Sequence, residues 1–95
     1  MLEELTLSRH FTQRYIERVG CPPTEDGVRQ IVRGSVVVQR GKDYRLASGR
    51  LFNTLSIYWN PRLAMVITVD ERRKRAVSVF GEKTLNDAKR LRMIV

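Results

Sequence analysis

The chain has 95 residues, with 18 Lys and Arg against 10 Asp and Glu, a formal charge of +8. That length is one domain's worth, and 42% hydrophobic with 29% charged residues is the balance of a folded domain rather than a disordered chain. A single cysteine, Cys21, and a single histidine, His10, exclude an intramolecular disulfide framework and a Cys/His metal cage, so neither metal nor cofactor is expected. No apolar run approaches the roughly 20 residues that span a bilayer. The opening Met1-Leu-Glu-Glu-Leu is acidic, unlike a signal peptide, so no membrane partner is expected. The reading is a single basic domain over 1–95, cytoplasmic.

Ser8 caps a predicted helix over 9–19, which Gly20 and Pro22-Pro23 stop. Phe11, Tyr15, Ile16 and Val19 recur along it as an apolar stripe. Thr24 caps a second, shorter helix with Glu25 and Asp26 in its first turn, where the helix dipole favours anions. Val28, Ile31 and Val32 supply its buried side and Gly34 ends it, while Gly27 weakens its first turn.

After Gly34 the period changes from helical to alternating. Strands are predicted at 35–40 and 44–47, with Gly41-Lys42-Asp43 turning the chain between them. A third runs over 51–59, with Leu51, Leu55, Ile57 and Trp59 on one face and Phe52, Thr54, Ser56 and Tyr58 on the other. Trp59 is assigned to the core with Leu55 and Ile57, which leaves the Phe52 and Tyr58 face as the one open to a ligand. Asn60-Pro61 turns the chain into a strand at 62–69, with Leu63, Met65, Ile67 and Val69 on one face. A charged hairpin loop at 70–74 leads to a last strand at 75–80. Connections this short make the strands mostly antiparallel. From Thr84 the tail reads as a third helix, with Leu85, Ala88 and Leu91 on one side, as a frayed end, or as a segment held by a partner. The predicted fold is α+β: two N-terminal helices packed on one face of a twisted, mainly antiparallel sheet of four to five strands, with or without a C-terminal helix.

The polar side of the first helix carries the chemistry. His10, Arg14 and Glu17 recur at i, i+4 and i+7 on one face, flanked by Arg18. An imidazole, a carboxylate and two guanidinium groups are the parts needed to cleave RNA through its own 2′-hydroxyl. A base takes the hydroxyl proton, an acid protonates the leaving 5′-oxygen, and cations stabilise the phosphorane. The same spacing also describes a solvated helix face on which Glu17 merely pairs with Arg14. The Arg72-Arg73-Lys74-Arg75 block grips phosphates or solvates a hairpin; both readings stand. Cys21 has no neighbour that marks it as an activated nucleophile.

The run Ser8-Arg9-His10, Arg14, Glu17-Arg18 and Gly20, followed by a short capped helix ending at Gly34 and a β-meander, resembles a group of small bacterial and phage domains related to the RelE/ParE/BrnT-like toxins. The order of elements matches over about residues 8–80, and the motif itself lies in the first helix. Two departures stand out: Val19 separates Arg18 from Gly20, and Cys21-Pro22-Pro23 replaces the usual Ile-Ser or Val-Ser pair. The resemblance implies a metal-independent endoribonuclease of toxin–antitoxin type, with His10, Arg14, Glu17, Arg18 and Lys83 as its catalytic set. It implies RNA or the ribosome as target and an acidic antitoxin as protein partner. Lys42, Tyr44, Arg45, Lys83 and Thr84 are the candidates for the Lys/Arg/Tyr set of RelE-type enzymes. Lys42, Arg45, Arg72, Arg73, Lys74 and Arg75 are the candidate RNA contacts. The alternative is a non-catalytic basic module that docks on nucleic acid, a ribosome or a protein.

Overall fold

In the computed structural model, which describes residues 4–81, the order of elements is β1 (Thr6–Leu7), α1 (Arg9–Val19), α2 (Glu25–Arg33), β2 (Val36–Arg45), β3 (Leu51–Asn60), β4 (Met65–Asp70) and β5 (Arg75–Phe80). Both helices begin and end at the predicted residues because their caps are local. Ser8 Oγ accepts the backbone N–H of Phe11, and Thr24 Oγ1 accepts that of Gly27. Gly20 closes α1 in the left-handed region at φ 93°, its N–H donating to Ile16 O, whereas Gly34 closes α2 without leaving the right-handed half of the map, at φ −84°.

The five strands form one sheet in the order β1-β5-β4-β3-β2. Three neighbouring pairs are antiparallel, but β1 runs parallel to β5, Thr6 beside Arg75 and Leu7 beside Ala76, so the sheet is mixed. That first strand was not expected. It is two residues long, too short for any period to reveal, and it exists because β5 offers an edge on which Thr6 N and Ser8 N donate to Lys74 O and Ala76 O.

The predicted strands at 35–40 and 44–47 are one strand. The turn expected at Gly41-Lys42-Asp43 is a bulge, with Gly41 at φ 55° and its N–H donating to Ser56 Oγ at 2.9 Å. β4 begins three residues later than expected, because 61–64 is a turn and Leu63 stands 48% exposed within it. The proposed tail helix from Thr84 lies outside the described residues.

The helices cover one sheet face. Phe11 from α1 and Val28 and Val32 from α2 pack in one core with Tyr58, Met65, Ile67, Val69, Ala76 and Val79, which Leu5 joins. This reverses the expected faces of β3: Tyr58 belongs to the core, and Trp59, half-buried, points with Ile57 to the face away from the helices. Both faces of β3 are apolar enough to be buried. Asn60 marks the covered one, since its Nδ2 donates to Ile31 O at the end of α2. The stripe on α1 is also narrower than expected: Phe11 is fully buried and Tyr15 packs on the core, but Ile16 and Val19 are about 40% exposed. Among the described residues no helix is long and apolar enough to cross a membrane.

Candidate functional site

The start of α1 is fastened to β5. Ser8 Oγ, besides capping the helix, donates to Val77 O at 3.1 Å, and Ser8 N donates to Ala76 O at 3.0 Å. Beyond Ala76 the outer edge of β5 is therefore flanked by α1, because β1 ends at Leu7. A helix laid along an open strand edge leaves a groove between its outward side and the end of the strand. Here the groove is a concavity of about 480 Å³ lined by His10, Arg14, Glu17, Arg18, Val79 and Phe80.

Four residues singled out for their spacing on one helix thus line the same concavity. Within it, Arg14 Nη1 donates to Glu17 Oε2 at 3.1 Å, with both side chains about half exposed. His10 and Glu17, seven residues apart, are separated by about 10 Å along the helix axis, so the carboxylate holds Arg14 and not the imidazole. Arg18 is fixed differently: its Nη2 donates to Ala64 O in the β3–β4 turn at 3.2 Å, and its guanidinium lies over Gly81. One guanidinium is therefore tied to a carboxylate and the other to a backbone carbonyl, which leaves most of the Arg18 donors uncommitted.

The remaining candidates lie elsewhere. Lys42 and Arg45 are on β2, three strand positions from β5, or about 14 Å at ordinary strand spacing. There Lys42 Nζ sits 5.4 Å over the Tyr44 ring, and Arg45 Nη1 donates to Gly49 O. The block at 72–75 is the turn into β5, at the far end of that strand from Phe80, about 17 Å away. Its charge is partly spent internally. Arg73 pairs with the buried Asp70 at 2.8 Å and donates to Phe52 O, and Lys74 pairs with Glu4. Cys21 is exposed, and Lys83 and Thr84 lie outside the described residues.

Sequence reasoning missed the wall opposite the helix, Val79 and Phe80, and the backbone at Ala64 and Gly81 that meets Arg18. The one signal was an aromatic residue and a glycine ending the last strand; nothing in the spacing marks Ala64. The titration of Tyr58 is displaced: burial, and then the neighbouring Glu71 carboxylate that accepts its hydroxyl at 3.1 Å, raise its pKa. It lies in the core, apart from the groove. Compared with known proteins, the chain matches no family model, no curated protein and no solved structure.

Proposed function

We propose that the protein is a cytoplasmic, RNA-binding domain of the RelE/BrnT-like toxin type that cleaves RNA at the α1–β5 groove. The observation that carries this reading is the convergence of His10, Arg14, Glu17 and Arg18 on one concavity beside an exposed Phe80. In the proposed step His10 takes the proton of the 2′-hydroxyl, whose oxygen attacks phosphorus. The bond to the 5′-oxygen breaks, and that oxygen regains a proton from imidazolium or from water. Arg14 and Arg18 stabilise the charge that builds on the phosphorane, and Glu17 orients Arg14. An acidic antitoxin would cover the same cations.

Incubation with RNA in the presence of EDTA tests this directly. The expected products end in 2′,3′-cyclic phosphate, and His10→Ala is expected to lower the cleavage rate by about 100-fold or more, the ordinary contribution of a positioned acid or base. Undiminished cleavage by that variant removes His10 from the mechanism.

One observation favours a second reading. Glu17 is bound to Arg14, so it does not orient the imidazole. A non-catalytic module that holds RNA, a ribosome or a protein through the same cations needs no such contact. It predicts binding that weakens steeply with salt and no cleavage products.

A further inference from the structure

Two backbone positions meet at the Arg18 guanidinium, one of them in an uncommon conformation. Ala64 is one of two described residues other than glycine with a positive φ, at 52°, a conformation that L side chains seldom adopt, and its carbonyl accepts Arg18 Nη2. Gly81 lies directly under the same group. A Cβ built on Gly81 would stand 2.8 Å from Nη1, 2.9 Å from Nη2 and 3.1 Å from Cζ, closer than van der Waals contact permits. The turn between β3 and β4 thus aims a carbonyl at the guanidinium, and the residue after β5 leaves out the atom that would displace it. Backbone strain of the kind Ala64 shows accumulates where a side chain must be held for use.

We propose that Gly81 and Ala64 form a socket that presets Arg18 as the fixed phosphate anchor of the groove, with Gly81 as a positioning residue that acts through Arg18. The proposal rests on the reading of the groove as a phosphodiester site and goes beyond it in dividing the two arginines. Arg18 is held by backbone and is ready before the ligand arrives. Arg14 is held by Glu17 and must exchange one anion for another.

The atom that a new Cβ would strike is the far end of a flexible side chain, so Gly81→Ala moves the guanidinium without disturbing the fold. The experiment follows the arginine Nε–H resonances by NMR during titration with inorganic phosphate, in the full chain and in Gly81→Ala, Arg18→Gln and the double variant. A mixed-sequence single-stranded RNA is then titrated across a range of salt.

The expected results are a saturable phosphate-dependent shift of Arg18 in the parent chain and about tenfold weaker phosphate binding in Gly81→Ala, the effect of losing one charge-assisted hydrogen bond. The thermal midpoint of Gly81→Ala is expected to be unchanged, and the substitution is expected to cause no further loss in the Arg18→Gln background. With RNA, the salt slope of Gly81→Ala falls by about 0.7, one phosphate contact on a single strand. The proposal is overturned if Arg18 ignores phosphate in the parent chain, if Gly81→Ala responds as the parent does, or if Gly81→Ala weakens binding equally when Arg18 is already gone. Phosphate binding at Arg18 without any RNA binding supports the socket and refutes the RNA reading. RNA binding indifferent to Gly81→Ala does the reverse.

Discussion

Ser8 fastens α1 to β5 beside the groove and is not among the residues that line it. Its hydroxyl oxygen accepts the Phe11 N–H, its hydroxyl proton goes to Val77 O, and its own N–H goes to Ala76 O. A cap and a tether meet in one side chain, so the direction in which α1 leaves the sheet is set there. Ser8→Ala is expected to cost about 1–2 kcal/mol, the usual loss for a cap, measured by urea denaturation. Because the hydroxyl's bond to Val77 O is lost too, leaving the N–H to Ala76 O as the one tether from Ser8, the cleavage or binding assay should weaken by more than the stability change explains. Tyr58 offers a second single-residue test. Its pKa is raised from the ordinary value near 10, by desolvation first and by Glu71 second. The folded phenol therefore holds its proton to higher pH than the unfolded one. The stability this contributes is fully present below about pH 10 and is lost as pH rises through the folded pKa. Glu71→Gln should bring the Tyr58 phenolate transition to lower pH in an absorbance titration, with the upshift due to burial remaining.

At the scale of elements, β2 shows how one glycine converts an expected hairpin into a continuous edge strand. Gly41 at φ 55° lets the chain step outward while its N–H finds Ser56 Oγ, so β2 resumes pairing at Lys42 opposite Leu55. The nearest atom to a Cβ at Gly41 would be Thr54 Cγ2 at 3.8 Å, ordinary contact, so the cost of Gly41→Ala is one of backbone conformation alone. It is expected to be about 1–2 kcal/mol in equilibrium unfolding. The same change lies three strand positions from the α1–β5 groove, and phosphate binding at Arg18 should survive it. Phe11 is the corresponding anchor of α1, fully buried and 6.0 Å ring to ring from Tyr15. Phe11→Ala should cost about 3–5 kcal/mol, a large share of a small domain's stability.

At the scale of the molecule, the cations of the described residues stand at the groove, the β4–β5 hairpin, the β2 edge and α2 rather than gathered in one stripe. Within the hairpin, Arg73 and Lys74 are engaged by Asp70 and Glu4. If the hairpin adds to RNA binding, Arg72 and Arg75 should supply it. Neutralising that pair should lower the salt slope of binding to a single strand by up to about 1.4, two contacts at 0.7 each, while neutralising Arg73 and Lys74 should change it less. Titration of the paired variants against one oligonucleotide decides the point.

Local signals were enough for both helices, whose boundaries lie in capping side chains within three residues of the backbone they serve. They were also enough to place His10, Arg14, Glu17 and Arg18 on one side of α1, because helical spacing alone dictates it. Tertiary structure decided the rest. Thr6–Leu7 is a strand only because β5 lies beside it, and Gly41 is a bulge only because Ser56 receives its N–H. Tyr58 rather than Trp59 faces the helices because α2 engages Asn60, a choice that alternation along β3 cannot express. The groove belongs to the same class. A residue pattern can place four polar side chains on one face of a helix. Whether that face looks onto bulk water or onto Val79 and Phe80 depends on where a distant part of the chain returns, and that is settled by pairing energies between strands rather than by local preference.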